Sequence, residues 1–517
     1  MTELLTAAQM RGIETSAIES GQVTGLELME RAGRGVVEAI FEEWPELAKT
    51  SGRAVVLCGP GNNGGDGFVV ARLLKEWGWE IDVYLYGDPE KLPPDARTNF
   101  EKWRNKNQVN FRRIDPAPLE DDTFRFQPGT SLVIDGLFGT GLTRPFGGVF
   151  SLLAFEQARS LLRNNDVRVV AIDVPSGLCA DSGCILGNVI AADLTVTFHD
   201  KKIGHMINDG PANCGLVRTK QIGLVQKEAS AIVKLVSEDG LSAAKSETDH
   251  KYSHGHGLIL SGGSGKTGAA RLAARGALRI GAGLVTLGVP PAAQTEVAAQ
   301  VTAIMLQRVE GGDELSDVLD DERLNALCFG PGLGLERARD LVPVALAANR
   351  ATVLDADALT AYADDPAALF DQLHDECVLT PHGGEFARLF PDISEKLKAV
   401  PTKGPAYSKV DATREAAKRA GCVVLFKGSD TVIAAPDGRC AINSAHYERS
   451  APWLATAGSG DVLAGFITGL LARGFAPMQA AETAAWLHVE CARTFGPGLI
   501  AEDLPEQLPA VFQHLAK

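Results

Sequence analysis

The chain has 517 residues, a net charge of −15, 45% hydrophobic and 22% charged residues. This is an ordinary globular composition, too long for one core and sized for roughly two to four domains. The acidic balance excludes a general nucleic-acid or anionic-membrane binder, which needs a basic face, though it leaves room for a local basic pocket for a phosphorylated small molecule.

Two helical patterns open the chain, Thr6–Glu19 and Thr24–Glu42. Strand candidates follow at 53–58, 81–86, 131–136, 167–174 and 192–198, with helical patterns at 65–77, 94–106 and 148–163 between several of them. That alternation predicts a mostly parallel sheet covered on both faces, with ligands gathered at the carboxyl ends of its strands. Gln226 to His250 is polar and has no strong strand signal, and the domain junction is placed there. A second series has strands at 257–261, 284–289, 326–329, 352–355, 377–380, 423–427 and 431–435. Its helical patterns lie at 267–280, 336–349, 411–420, 460–473 and 477–494. The 390–410 stretch, rich in Pro and Lys, reads as a loop or lid. The fold class is therefore α/β, with two three-layer α/β/α domains at 1–225 and 235–517.

The nine cysteines are scattered and never form C-x-x-C, which favours reduced thiols in a cytoplasmic chain. The start, MTELLTAAQMRGIETSA, has neither a basic n-region nor an apolar segment. No apolar run reaches the ~20 residues of a membrane span.

In the first half, CGPGNNGGDGF (58–68) follows an apolar run and precedes a helical pattern. Gly59-x-Gly61-x-x-Gly64 is formally a dinucleotide fingerprint, with Asp88 near the end of the next apolar run. Pro60, which has no N–H, and the like charge of Asp66 argue against a bare phosphate cradle. NNGGD (62–66), DGLFGTGLTRP (135–145) and DVPSG (173–177) all follow strand candidates. Asn63, Asp135 and Ser176 offer hard oxygens suited to K⁺ or Mg²⁺. Gly139 and Gly141 allow close backbone approach, and Arg144 suits a phosphate. Each piece alone is most often a tight strand-to-helix turn; three on consecutive strand ends exceed turn chemistry.

Together they resemble the YjeF amino-terminal family, the NAD(P)H-hydrate epimerases, over residues 1–222. The resemblance implies a Rossmann-like fold that interconverts the R and S forms of hydrated NADH and NADPH. It implies nucleotide contacts at Asn62, Asn63, Gly64, Gly65, Asp66, Gly139, Thr140, Gly141, Leu142, Thr143, Arg144 and Pro145. It also implies K⁺ on Asn63, Asp135 and Ser176. Asp173 would be the acid or base against the hydrated ring, with Lys202 as a second catalytic candidate.

In the second half, LILSGGSGKTGAA (258–270) misses a P-loop because Leu260 stands where glycine is required. It still predicts a glycine turn and a helix start rich in free N–H groups. AGSGDVLAGF (457–466) places Asp461 at the start of an amphipathic helix. There it is equally a base for a substrate hydroxyl or a plain first-turn acid. Further strand ends carry FGPGLG (329–334), LDADAL (354–359), LTPHGGEF (379–386) and FKGSDTV (426–432). Asp355 and Asp357 read as a magnesium or structural pair, His382 as a turn histidine or ligand, and Lys427 as a phosphate partner.

These motifs, with GAGLVTL (281–287), resemble the ribokinase-like superfamily, specifically the YjeF carboxy-terminal family of ADP- or ATP-dependent NAD(P)H-hydrate dehydratases, over about 240–517. The resemblance implies hydrate contacts at Ala269, Gly332 and His382. It implies adenine-nucleotide contacts at Lys427, Gly428, Ser429, Asp430, Thr431 and Gly460, with Mg²⁺ and with Asp461 as base. Phosphorylating the ring hydroxyl and eliminating the ester would restore the dihydronicotinamide. The expected partners are NADHX, NADPHX and ADP, in a homo-oligomer with neither nucleic acid nor membrane. Two other readings are a ribokinase-like vitamin or sugar kinase with a YjeF-type binding module, and a first half that is only a scaffold.

Overall fold

The computed structural model describes residues 2–106, 110–114, 127–146, 167–225, 232–238 and 250–515. The chain separates into two compact units: Glu3–Ile232 together with Val400–Ser408, and, in the main, Val233–Ala399 together with Lys409–Lys517. The predicted helix at 148–163 lies outside the described residues.

The first unit is built on seven strands. Numbered along the chain they are Arg53–Cys58, Glu80–Tyr86, Asn110–Ile114, Thr130–Gly136, Arg168–Ile172, Leu194–Phe198 and Leu216–Lys220. Their spatial order is 3-2-1-4-5-6-7, with every neighbouring pair parallel. Arg53–Cys58 is an apolar run buried on both faces, as a central parallel strand must be. Strands 3 and 7, at the two edges, had no counterpart in the sequence reading. Edge strands carry polar residues such as those of NFRRI and LVRTK, which hide the pattern.

Helices Ala7–Glu19 and Gly25–Glu43 each start with a capping box, Thr6 with Gln9 and Thr24 with Glu27, which satisfies orphan N–H groups at the amino-terminal end of each. The helix after strand 1 spans Asn62–Glu76. It begins three residues before the predicted start, so the NNGGD motif is its first turn rather than a preceding loop.

In the second unit the strands run in the order 233–235, 440–444, 430–434, 423–426, 377–379, 351–354, 324–329, 256–260, 284–289, 305–308. Asp430–Ala434 is antiparallel to both neighbours; the strands from 423–426 to 305–308 pair in parallel. Strands 233–235, 305–308 and 440–444 and helices 312–319, 383–389 and 503–515 were not expected. The 390–410 stretch is not one loop: Pro391, at the first helical position, opens helix Pro391–Lys398.

Helix Ser459–Ala472 differs from expectation in kind. Val462 to Ala472 is buried throughout, so it is a core helix rather than an amphipathic one. It lies on helix Gly268–Arg279, whose Ala270, Ala273, Ala274 and Ala277 present a flat face. A Cβ on Gly465 would overlap the Ala273 carbonyl, so glycine lets the two backbones meet. This fixes where the first turn, with Asp461, is held. Among the described residues no helix is long and apolar enough to cross a membrane.

Candidate active sites

The order of the first sheet reverses between strands 1 and 4, and a crevice opens at their carboxyl ends. A cleft of about 510 Å³ occupies it, lined by Asn62, Asn63, Asp66, the run Gly139–Arg144 and Asp173. The turn at its mouth is tight: a Cβ on Gly59 would overlap the Leu137 carbonyl. Three predicted contacts fall elsewhere. Gly64 and Gly65 give their N–H groups to the Gly61 carbonyl as the first bonds of the helix, and both are buried in packing. Pro145 borders an adjoining cavity instead.

Asp173 leaves strand 5 in the left-handed region, at φ 66°. Two groups hold it there. His205 meets the Asp173 carbonyl through Nε2 at 2.9 Å, while its Nδ1 accepts the Lys202 N–H at 3.0 Å. Burial lowers His205 to about 4. The ring is therefore neutral, and the accepting Nδ1 assigns its proton to Nε2. The Lys202 side chain has 0% exposure, and its Nζ donates to Asp173 Oδ1 (2.7 Å), Thr197 Oγ1 (2.8 Å) and the carbonyls of Phe198 (3.1 Å) and Asp200 (3.2 Å). Lys202 thus stands behind Asp173 and does not reach the cleft. Its contacts hold the Asp173 carboxylate in place.

The carboxyl groups of the cleft are split. Burial acts to raise Asp173, but Lys202 and Thr197 outweigh it and hold the group below its usual value. Asp66 is pushed well above the carboxylate range by burial, then by the charges of Asp173 and Glu14. Burial and Asp173 raise Glu14 as well. Arg11 and Glu14 line the cleft from helix Ala7–Glu19. Sequence reasoning missed them, because charges on an opening helix read as its solvent face.

Of the three oxygen donors proposed for K⁺, Asp135 and Ser176 are bonded to each other, while Asn63 lines the cleft. Asp135 Oδ1 accepts from Leu137 N–H (3.2 Å) and Ser176 Oγ (2.6 Å), and Oδ2 accepts from Ser176 N–H (2.8 Å). Asp135 is fully buried, with no basic group acting on it, and burial raises it to about 6. Asn63 Nδ2 is buried without a partner, so the amide, turned over, would present an unused oxygen. A buried carboxylate without a counter-ion and an unsatisfied amide fit a monovalent cation.

In the second unit, Gly330, Asp355 and Lys427 follow the strands 324–329, 351–354 and 423–426. Lys427 Nζ lies 2.6 Å from Asp355 Oδ1 and 3.9 Å from Glu385 Oε2. That pairing settles Asp355 as the lysine's partner; Asp357 instead accepts the Gly334 N–H at 2.8 Å. Asp461 sits in the first turn of Ser459–Ala472, and burial, then Asp355, raises it to about 6 against the pull of Lys427.

Beside it is a pocket of about 480 Å³, lined by Lys427, Gly428, Ser429, Thr431 and Gly460, and by Asn443, His446 and His488, which sequence reasoning missed. His488 is buried in helix Pro477–Phe495 and bonds the Ser459 carbonyl at 2.9 Å. Its signal was a histidine amid the apolar run AAWLHVEC.

Four further groups of predicted residues are placed by the structure. Asp430 does not line the pocket; its Oδ1 pairs with Lys409 Nζ at 2.7 Å, so it stabilises the turn and leaves the pocket to its neighbours. His382 is a helix cap, its Nδ1 accepting from Gly384 (2.9 Å) and Glu385 (3.2 Å) N–H groups. Ala269 and Gly332 are neighbours, a Cβ on Gly332 falling 3.4 Å from that of Ala269, but neither borders the pocket. In the glycine turn at 261–267 the Glu296 carboxylate takes the Gly265 N–H (2.8 Å) and the hydroxyls of Thr267 (2.5 Å) and Ser264 (3.1 Å). A larger cleft of about 960 Å³, bordered by Glu310, Asp313, Glu314 and Asp340, holds none of the candidate residues.

A raised and a lowered carboxyl at a dinucleotide-type crevice, and a raised carboxyl beside a lysine at a nucleotide-sized pocket, are the candidate active sites of a two-site α/β protein. Comparison with known proteins narrows the class. Residues 25–204 match the family YjeF-related protein N-terminus, and residues 257–509 match the family NAD(P)H-hydrate dehydratase. The bifunctional NAD(P)H-hydrate repair enzyme Nnr of Moorella thermoacetica is 37% identical, over 99% of this chain and 97% of its own. The NAD(P)H-hydrate epimerase of Roseobacter litoralis is 46% identical over 43% of this chain and 100% of its own. A crystal structure of the ADP/ATP-dependent NAD(P)H-hydrate dehydratase of Bacillus subtilis is 27% identical, covering 55% of this chain and 99% of that one with a TM-score of 0.45. The chain belongs to the family of bifunctional NAD(P)H-hydrate repair enzymes.

Proposed function

We propose that this enzyme returns hydrated NADH and NADPH to use, with the division of labour falling at 1–225 and 235–517. The first part interconverts the R and S hydrates; the second dehydrates the S form at the expense of ADP or ATP. The observation that carries the reading is Asp461, raised to about 6 beside Lys427 at a pocket of nucleotide size.

In the first unit the substrate hydroxyl sits on the carbon next to the ring nitrogen, a hemiaminal. Ionised Asp173 accepts the hydroxyl proton, the carbonyl forms and the ring C–N bond breaks. Protonated Asp66 gives its proton to the nitrogen. Rotation of the open aldehyde and reversal of each transfer close the ring on its other face. The two roles follow from the split in the carboxyl groups. Potassium, on Asn63, Asp135 and Ser176, would supply the missing counter-charge behind the loop Gly139–Arg144.

In the second unit Asp461 takes the proton of the ring hydroxyl, whose oxygen attacks the terminal phosphoryl of the adenine nucleotide. Lys427 and the N–H groups opening the helix at Gly460 stabilise the charge that develops. The ring C–O bond of the ester then breaks, phosphate departs with that oxygen, and the adjacent carbon gives its proton to the departing phosphate, restoring the double bond. No cluster of three or more metal-ligating side chains occurs among the described residues. Magnesium would come with the nucleotide, with Asp355 as the carboxylate able to hold it, and would offset phosphate charge. The nine free thiols agree with a cytoplasmic location. A homo-oligomer is part of the same reading, and light scattering on the full chain tests it.

The deciding experiment supplies a mixed-epimer sample of NADHX with ADP and follows the dihydronicotinamide absorbance. Complete conversion is expected. A stop after the S fraction would leave the first unit a scaffold, and phosphorylation of pyridoxine or hydroxymethylpyrimidine instead would make the second a vitamin kinase.

A further inference from the structure

We infer that the first unit carries a phosphomonoester subsite for the 2′-phosphate of hydrated NADPH, over the ends of strands Glu80–Tyr86 and Asn110–Ile114. The inference rests on the epimerase reading above and deepens it. Its first support is topology. In a sheet of order 3-2-1-4-5-6, a dinucleotide lies across the reversal point, its two halves over opposite sides. Asp173, the group assigned to the nicotinamide ring, follows strand 5. The adenosine half therefore falls over strands 2 and 3.

A cavity of about 630 Å³ lies there, sharing Pro60, Phe138, Leu142 and Arg144 with the acid–base cleft, so one ligand can run through both. Tyr86 and Phe138 meet edge-on at 5.7 Å and give it an apolar wall suited to a base. Its charge is the second support. Asp88 stands two residues past strand 2, where an acid binds the unphosphorylated ribose and repels a 2′-phosphate. Among the described residues lining this cavity, Lys91, Arg113 and Arg144 are cationic and Asp88 is the one carboxylate. Asp88 is moreover tied down, its Oδ1 accepting the Glu90 N–H at 3.1 Å. The balance suits a dianion. Arg113 comes from strand 3 and Lys91 from the turn after strand 2, so neither belongs to the acid–base group.

The test measures exchange between R and S forms, by chromatography, for NADHX and NADPHX separately. For Arg113→Ala and Lys91→Ala, kcat/KM with NADPHX falls at least about tenfold through KM, as loss of a charge-assisted phosphate contact requires, while NADHX stays within about twofold. Asp88→Asn moves the ratio the other way. A parallel loss with both substrates, or no change with either, overturns the subsite. Wild-type protein that exchanges neither substrate overturns the epimerase reading instead. The subsite is then judged by titration calorimetry of the full chain with adenosine 2′,5′-bisphosphate against AMP. Tighter binding of the bisphosphate that Arg113→Ala abolishes supports it, and equal binding rejects it.

Discussion

Both units hold a lysine against an aspartate at a strand end, Lys202–Asp173 at 2.7 Å and Lys427–Asp355 at 2.6 Å. Each also keeps a further carboxyl raised beside the pair, Asp66 in one and Asp461 in the other. The assignments are opposite. In the first unit the paired aspartate faces the cleft, and the lysine is sealed behind it. In the second the paired aspartate is buried, the lysine side chain is 17% exposed at the pocket, and the unpaired acid is the group proposed to react. In the proposed mechanism, pairing makes Asp173 a weak base, enough for a reversible opening of a hemiaminal. Leaving Asp461 unpaired makes it a stronger one, as removing a proton for phosphoryl attack demands. The same parts give two kinds of base according to which carboxylate the lysine touches.

The largest effect that can break this comparison is at Asp461. Asp461→Asn is expected to slow dehydration of S-NADHX by about 10²–10⁴-fold, the usual size of a lost general base, with ADP binding and R/S exchange retained. Undiminished turnover would make Asp461 a plain first-turn acid. Next in size is Lys202. Removing one partner of a buried pair leaves an uncompensated charge, so Lys202→Met should cost about 3–5 kcal/mol in urea unfolding of the full chain. Lys202→Met with Asp173→Asn should recover most of that stability without recovering exchange. If it recovers exchange too, Asp173 does not act on the substrate.

Much of both sites was legible because it is local. CGPGNNGGD and FKGSD place glycine turns, acids and a lysine directly after apolar runs, and those runs became the central strands. What escaped depends on contacts between distant elements. Nothing near Glu14 says that its helix brings it against Asp173, and nothing near Asp430 names Lys409. The lysine at 202 sits in a polar stretch, yet its side chain folds inward to Thr197 and Asp173, where charge and hydrogen bonds offset desolvation. The edge strands were hidden by polar composition. Helix Ser459–Ala472 was mistaken for amphipathic because ITGLLA looks like one face of a stripe, whereas packing covers every side.

The smallest effect separates the two bases by pH. A base works only when ionised, and Asp461 takes up a proton as pH falls through about 6. Dehydration should therefore decline by up to tenfold per unit below that point and be flat above it. Asp173 is held below its usual value, so R/S exchange should keep its acid limb at clearly lower pH. On the alkaline side exchange should fade as raised Asp66 loses the proton it must donate. Asp135 also titrates near 6, and its protonation would release potassium and mimic the first effect. High potassium chloride keeps it ionised by mass action, so both profiles are measured there and again in sodium chloride. An exchange profile whose acid limb moves up in sodium, while dehydration stays at about 6, assigns the cation to the first unit alone. Coincident limbs in potassium would mean that pairing with Lys202 does not set the strength of Asp173.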